Sequence, residues 1–145
     1  MAHRSPVTVR FNELDPYGHV NHSVYVTYLE VGRTVALADC GVPLDLMAER
    51  GYQMVVTRID VRYLGAAIAG QPLVVETEIG ELRRASGTWI QRILGPDPEG
   101  SGSEELLVTA EVAAAVTDRS GRPTRPPDWL FPALEKLRAD EPAGP

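Results

Sequence analysis

The sequence has very little cysteine: its 145 residues include only one, Cys40. One thiol cannot form an internal disulfide, and it cannot supply a cysteine-rich metal site. The chain therefore suits an environment in which thiols stay reduced, and we predict a cytoplasmic location. We expect Cys40 to be a small buried side chain rather than a nucleophile.

Long apolar runs and excess basic charge are also lacking. No run approaches the roughly 20 apolar residues that a membrane-spanning helix needs, and the N-terminal residues lack the apolar stretch of a signal peptide. Acidic residues outnumber lysine and arginine by 20 to 14, for a formal net charge of -6. Nucleic-acid binding requires a basic surface, so we expect neither nucleic acid nor membrane as a partner. A small anionic ligand held by a local group of arginines remains compatible with this charge.

The length and the apolar fraction of 43% are ordinary for one globular domain with its own core. We therefore predict a single domain over residues 1–145, with a flexible tail from about residue 139. The polar stretch "GPDPEGSGSEE" inside the chain predicts a hairpin tip.

Near the N-terminus the hydrophobic period changes from two to about 3.6 residues. The alternation of Val7, Val9 and Phe11 predicts a strand. From about Asn21 onward, apolar or small residues recur at helical spacing until Gly41, which predicts a helix of about 17 to 20 residues. One stripe of that helix contains Tyr25, Tyr28, Leu29, Gly32, Val35, Ala36 and Asp39.

Most of the remaining sequence predicts strands. Four segments show this pattern: residues 53–65, 71–82, 86–94 and 105–118. In the first of them, alternation assigns Val55, Thr57, Ile59, Val61 and Tyr63 to one face. Short connections suggest that these four strands are antiparallel neighbours. Short helical segments are predicted near residues 43–51 and 128–140, the second starting or kinking at Pro132. The fold class is therefore α+β, with a curved antiparallel sheet of about five strands wrapped around one long helix.

The turn before the long helix carries Asp15, followed by Pro16. An aspartate here commonly begins an Asx-type turn. It could instead act as a general base or nucleophile, because the helix N-terminal amides nearby favour anions and could polarise a substrate carbonyl.

Other polar residues of this turn have structural and chemical interpretations. His19 and His22 are three residues apart, but two ligands are too few for a zinc site, so we predict no metal. His19 could be an exposed turn residue, or could orient substrate or move protons. Asn21 is a candidate helix N-cap, and His22 a candidate exposed residue beside it. Tyr25 and Tyr28 are expected to line the core or a groove, with partners for their hydroxyls.

Arginines form two further candidate groups. Arg58 and Arg62 share a strand face with Asp60, whereas Arg83 and Arg84 lie at a predicted turn. They could simply be solvated, or their planar guanidinium groups could hold ligand phosphates.

The stretch "VRFNELDPYGHVNHSVYVTYLEVGR" resembles the signature of the hot-dog-fold acyl-CoA thioesterases, the 4-hydroxybenzoyl-CoA thioesterase-like superfamily. The matching positions are Asp15, Gly18, Val20, Tyr25 and Glu30. The resemblance continues through "TRIDVRYLGAAIAGQPLVVETEIGELRRASGTWIQRIL" and covers nearly the whole chain. Gly65 departs from it, since many relatives have proline there.

The resemblance implies a hot-dog fold whose protomers pair edge to edge as a homodimer, further assembled as a homotetramer, with acyl-CoA bound at the interface. It implies that Asp15 is the catalytic carboxylate, and we assign His19 and Asn21 to the catalytic group with it. Backbone amides from about His22 to Tyr25 would polarise the thioester carbonyl. The residues expected to bind substrate are Tyr17, Gly18, His22, Ser23, Val24, Tyr25, Arg58, Arg62, Arg84 and Ser86. No metal or separate cofactor is expected, because coenzyme A is part of the substrate.

The stretch also resembles plant acyl-ACP thioesterases. Asp15, His19 and Asn21 match that pattern, but Tyr17 replaces its asparagine. A mechanism that needs a side-chain amide at position 17 is therefore unavailable, whereas the aspartate mechanism is unaffected.

The predicted activity is hydrolysis of an acyl-CoA thioester to a carboxylic acid and CoA. The alternatives are an acyl-ACP thioesterase, a hot-dog dehydratase or hydratase, and a non-catalytic acyl-CoA-binding module. The Asp-Pro-Tyr-Gly-His-Val-Asn string disfavours the dehydratase, which commonly uses a histidine paired with an acid across the dimer. The binding modules usually accompany a DNA-binding segment, and only about five residues precede the first predicted strand.

Overall fold

The computed structural model describes residues 2–139. Its elements follow in chain order: β1 (His3–Thr8), a 3₁₀ turn (Phe11–Glu13), α1 (His22–Asp39), α2 (Leu44–Glu49), β2 (Tyr52–Tyr63), β3 (Pro72–Leu82), β4 (Ser86–Pro96), β5 (Glu104–Asp118) and α3 (Phe131–Lys136). The helix predicted at 17 to 20 residues has 18. Residues 140–145 of the predicted tail lie outside the described residues, whereas the Ala139 amide donates to the Ile79 carbonyl at 2.6 Å.

The five strands form one antiparallel sheet in the order β1-β3-β4-β5-β2. The expectation that β2 and β3 would be neighbours is wrong. They are joined by residues 64–71, a connection longer than the two to five residues of a typical hairpin loop. It crosses the end of the sheet, and β2 pairs with β5 and forms an edge.

The predicted alternation in β2 fails at its centre because the strand contains a bulge. The register shifts between Val56 and Arg58, so Thr57 is an extra residue. Val56 pairs with Ala114, and Ile59 pairs with Val112. Ala114 and Val112 are buried beneath the helix. Met54 and Val56 therefore share the helix-facing side with Ile59, Val61 and Tyr63, whereas the prediction placed Val55 and Thr57 there.

Helix α1 packs its stripe of small and apolar side chains against the concave face of the sheet. The buried residues are Tyr25, Tyr28, Leu29, Gly32, Ala36 and Leu37. A Cβ atom added at Gly32 would lie 2.6 Å from Val75 Cγ1 and 2.9 Å from Thr77 Oγ1, closer than real contacts allow. The expectation that Gly32 permits a close helix–sheet approach is confirmed. Val35 is only half-buried, and Asp39 is exposed.

A polar network lies beneath the middle of α1. The buried Gln91 side chain donates from Nε2 to the Leu29 carbonyl at 2.9 Å and to Thr77 Oγ1 at 3.0 Å. Its Oε1 accepts a hydrogen bond from Arg33 Nη1 at 2.9 Å. The amide is thus satisfied despite its burial, as a stable core requires. The network lies between two apolar clusters, one around Tyr25 and Leu29 and the other around Trp89 and α3.

Cys40 follows α1 directly and is half-buried. Burial raises the pKa of its thiol, which disfavours the reactive thiolate. The structure therefore agrees with a structural rather than a nucleophilic role for this residue.

Candidate active site

Asp15 lies in a tight turn that joins the 3₁₀ segment to α1. Leu14 and Val20 form an antiparallel bridge at the base of the turn. Within it, the Asp15 amide donates to the His19 carbonyl at 2.7 Å, and the Gly18 amide donates to the Asp15 carbonyl at 3.1 Å. Gly18 has a φ of 79°, a conformation that glycine adopts without steric cost. The turn thus holds Asp15 in a defined position just before the helix.

The two carboxylate oxygens of Asp15 have different surroundings. Oδ1 accepts hydrogen bonds from the Tyr17 amide at 2.9 Å and from the His19 amide at 3.1 Å. Among residues 2–139, no donor hydrogen-bonds to Oδ2. The Asx-type interpretation of Asp15 is therefore correct for Oδ1. The side chain is only half-buried, and its Oδ2 is left available to react.

The start of α1 has a confirmed N-cap. Asn21 Oδ1 accepts from the Ser23 amide at 3.0 Å and from Ser23 Oγ at 2.9 Å. The Asn21 carbonyl accepts from the Val24 amide at 2.9 Å. Asn21 therefore occupies two of the amides that the resemblance assigned to the thioester carbonyl. The His22 amide has no acceptor within the described part of the chain, which leaves it free to face a ligand.

Tyr25 connects the helix start to the loop after β2. Its Oη accepts a hydrogen bond from the buried Ala67 amide at 2.9 Å, and its ring centroid lies 5.6 Å from that of Tyr63. Burial raises the pKa of Tyr25, and the negative charge of Asp15 adds to this shift. Tyr25 is therefore a neutral core residue beside Asp15, as the sequence suggested, and its hydroxyl has the expected partner.

Glu13 supports the turn and was not recognised in the sequence. Its Oε1 accepts hydrogen bonds from Tyr28 Oη and from the Arg10 amide, both at 2.8 Å. Burial raises the pKa of Tyr28, and the Glu13 charge adds to the effect. These bonds fasten the 3₁₀ segment before Asp15 to the second turn of α1. The sequence indicated this contact indirectly, because Tyr28 was expected to be buried and its hydroxyl then needs a hydrogen-bond partner.

The remaining predicted residues divide between the turn and distant surfaces. The side chains of Tyr17, His19 and His22 are exposed around the turn, Tyr17 to the extent of 84%. Arg58 and Arg62 lie on the outer face of the sheet, where each is about 4 Å from Asp60 (3.9 Å and 4.0 Å).

Arg84 and Ser86 lie at the opposite end of the sheet from Asp15 in the same chain. Ser86 pairs with Ala115 on β5, whereas Tyr63, beside the helix start, pairs with Val108. These two positions on β5 are about 24 Å apart at the usual rise per strand residue. One chain therefore brings together the residues of the turn and the helix start, but not Arg84 and Ser86.

Within residues 2–139, no three histidine, cysteine, aspartate or glutamate side chains are grouped closely enough to hold a metal ion. In the same part of the chain, no helix combines the length and apolar character needed to cross a bilayer. The turn and the helix start offer a carboxylate, backbone amides and exposed imidazoles.

Fold and site together define a hot-dog thioesterase domain. A model of the thioesterase-like superfamily matches residues 9–134, and the chain belongs to that superfamily. Among solved structures, a probable thioesterase from Bartonella henselae is similar with a TM-score of 0.79 and 29% identity, covering 88% of this chain and all of that one (100%). A 4-hydroxybenzoyl-CoA thioesterase variant complexed with 4-hydroxybenzoyl-CoA has a TM-score of 0.83 at 20% identity, covers 92% of this chain and 98% of its own, and supports the fold.

Individual relatives are similar over most of the chain. The acyl-CoA thioester hydrolase YbgC of Escherichia coli O6:H1 is 34% identical over 106 residues, which cover 72% of this chain and 78% of that protein. The putative acyl-CoA thioesterase YneP of Bacillus subtilis is 29% identical over 138 residues, covering 93% and 96%. The chloroplastic acyl-acyl carrier protein thioesterase ATL3 of Arabidopsis thaliana is 27% identical over 128 residues, 88% of this chain but 65% of the plant protein. The match thus spans slightly less than two thirds of the plant relative.

Proposed function

We propose that the protein hydrolyses acyl-CoA thioesters to a carboxylic acid and CoA, with Asp15 as the catalytic carboxylate. The observation that carries the proposal is the asymmetry of this group. Two backbone amides hold Oδ1, no described donor engages Oδ2, and the His22 amide nearby lacks an acceptor. A base or nucleophile beside an amide donor is the arrangement that acyl transfer needs.

Two mechanisms suit this arrangement. As a general base, Asp15 would take a proton from a water molecule whose oxygen adds to the thioester carbonyl carbon. As a nucleophile, Oδ2 would attack that carbon and form an acyl anhydride, which water would then hydrolyse. In both, the His22 amide would donate to the carbonyl oxygen as it becomes negative, and the carbon–sulfur bond would break to release the CoA thiolate, which is then protonated. Label from heavy-oxygen water that appears in Asp15 after a single turnover would identify the nucleophilic route, with water attacking the aspartyl carbon of the anhydride, because the general-base route places label only in the product acid.

His19 and Asn21 have supporting roles in this proposal. The His19 amide donates to Asp15 Oδ1, and the His19 carbonyl accepts from the Asp15 amide, so the His19 backbone closes the turn. The exposed His19 imidazole could orient the attacking water. Asn21 shapes the helix start by capping it, so its contribution is to position the His22 amide rather than to react. Tyr17, Gly18, Ser23 and Val24 would contact the substrate where the turn meets the helix.

Hydrolysis of acyl-ACP is the second candidate, and the similarity to the plant acyl carrier protein thioesterase favours it. Acyl carrier proteins are acidic, and the net charge of -6 opposes their docking. We therefore prefer CoA esters. A dehydratase or a pure binding module has less support, because the named relatives above are thioesterases.

We further propose that the active assembly is a homodimer, or a tetramer of two such dimers, formed through β2. This edge strand carries partly exposed apolar side chains, including Val55 on its outer face and Tyr63 near its end. Antiparallel pairing of two β2 strands about a two-fold axis would set the Tyr52 end of one beside the Tyr63 end of the other. The partner's Arg84 and the partner's Ser86 would then lie toward the Asp15 end, where they could hold CoA phosphates.

Sedimentation equilibrium checks this assembly. We expect at least twice the single-chain mass of 15.8 kDa at micromolar concentration. A protein that hydrolyses thioesters while sedimenting as a single chain would contradict the shared site.

Free-thiol release from a panel of acyl-CoA esters tests the function itself. We expect turnover of at least one ester, with CoA and the free acid formed in equal amounts. Matched acyl-ACP esters separate the two candidates through kcat/KM. Binding of acyl-CoA without turnover across short, long and aromatic acyl groups would contradict the proposal and favour a binding module.

A further inference from the structure

An open cleft lies between α1 and β2, away from the Asp15 turn. Most of its wall is apolar, formed by Leu37, Leu44, Met54, Val56, Trp89 and Ala114. Three polar residues of α1, Glu30, Arg33 and Thr34, complete the lining. Arg33 therefore lines a cleft whose wall is otherwise mostly apolar, with Glu30 and Thr34 as the other polar residues.

The guanidinium of Arg33 is held in place but only partly paired. Its Nη1 donates to Gln91 Oε1 at 2.9 Å, and the other end of Gln91 is committed to Leu29 and Thr77. No carboxylate among residues 2–139 lies within 4.0 Å of it, Glu30 included. Burial lowers the pKa of Arg33 and the Glu30 charge partly offsets this, but an arginine stays protonated. A half-buried positive charge with unused donors can take an anionic partner.

The cleft is connected to the helix start by one face of α1. His22 and Arg33 are eleven residues apart, about three turns, so they share a face and lie about 16 Å apart along the axis. Strand β2 runs beside this face: Tyr63 Oη donates to the His22 carbonyl at 2.8 Å, and Val56 lines the cleft at Arg33. Between them, Ile59 on the helix-facing side of β2 is 40% exposed. Val56 and Ile59 therefore give β2 a partly exposed apolar face between the helix start and Arg33.

We propose that the acyl group lies along this face of β2 and that Arg33, in the cleft at its far end, binds a carboxylate, so that the preferred substrates are CoA thioesters of dicarboxylic acids. The inference rests on the proposed thioester hydrolysis and adds the class of acyl group. A carboxylate can accept two parallel hydrogen bonds from the planar guanidinium, whereas a methyl terminus would leave that charge desolvated and unpaired. Glu30 lines the same cleft and its charge acts on Arg33, but it lies outside ion-pair distance, so it does not occupy the donors of the guanidinium.

The test compares pairs of acyl-CoA esters of equal chain length that end in a methyl or a carboxylate group. We expect the wild type to prefer the carboxylate ester by about tenfold or more in kcat/KM. Arg33→Met should lower that preference at least tenfold, mainly by losing the carboxylate ester, and Arg33→Lys should keep part of it. The matched control is Arg138→Met, an exposed arginine beside Ile79 on β3 and away from β2, which should keep the wild-type preference. An equal loss on both esters, or an unchanged preference, would overturn the inference.

A binding measurement separates this inference from the proposed function. Thioether analogues of CoA bearing an alkyl or an ω-carboxyalkyl chain cannot be hydrolysed, and their affinities can be measured by calorimetry. Tighter binding of the carboxyalkyl analogue that disappears in Arg33→Met supports the carboxylate site even where no ester is turned over. Equal affinity of the wild type for both analogues overturns it. Size-exclusion profiles and melting temperatures of the variants confirm that the assembly and fold are retained.

Discussion

Asp15→Asn is expected to lower kcat for thioester hydrolysis by about a thousandfold or more, while the fold remains intact. The amide oxygen of asparagine can still accept the hydrogen bonds that Oδ1 receives from Tyr17 and His19, so the turn is preserved. What disappears is the negative charge of the second oxygen, without which the group can neither take a proton nor attack the carbonyl carbon. Thiol release under saturating substrate gives kcat, and thermal unfolding reports the fold.

Asp118→Asn is the matched control for this substitution. Asp118 Oδ1 accepts from the amides two and four residues later, Ser120 at 2.9 Å and Arg122 at 3.1 Å, as Asp15 Oδ1 does at its own turn. Asp118 lies where β5 ends, away from the helix start. We expect full activity from this variant. A similar loss of activity in both variants would indicate that the substitution acts by disturbing the fold rather than by removing a catalytic group. An active Asp15→Asn enzyme would refute the catalytic role of Asp15.

The elements that depend on local sequence were the most predictable. The cap at Asn21, the length of α1 and the close approach at Gly32 follow from periodicity and from residue size, and the structure confirms them. The position of Asp15 before the helix follows from the same pattern. The resemblance added a catalytic interpretation that neither spacing nor composition supplies, because an Asx turn explains the residue equally well.

The features that escaped prediction depend on contacts between distant parts of the chain. The alternating sequence of β2 gives no sign of the bulge at Thr57. The bulge is defined by the register in which β2 pairs with β5. Whether β3 neighbours β2 or β1 is likewise decided by the packing of the whole sheet over α1. Arg33 lies next to the apolar stripe in sequence and would ordinarily be assigned to solvent. Only its hydrogen bond to Gln91, from a strand far along the chain, shows that it lies over the core.

The backbone amides at the start of α1 are unequally occupied. Because Asn21 engages the amides of Ser23 and Val24, the proposed mechanism assigns the thioester oxygen to the His22 amide. Proline at this position removes that donor and nothing else from the backbone pattern. Proline is well tolerated as the first helical residue, where its missing N–H would lack an intrahelical partner in any case. Asn21, the preceding residue, already has the extended φ of -59° and ψ of 137° that a following proline requires.

We therefore expect His22→Pro to lower kcat by about 100- to 1000-fold, the usual effect of removing one oxyanion donor, with little change in melting temperature. His22→Ala is the matched control, because it deletes the imidazole but keeps the amide, and it should retain most of the activity. The two variants together separate the backbone from the side chain. If His22→Ala loses as much activity as His22→Pro, the imidazole is the catalytic group; if both remain active, the carbonyl oxygen is polarised elsewhere. Since KM need not change when a donor acts mainly in the transition state, the loss should appear in kcat, which distinguishes it from a simple defect in substrate binding.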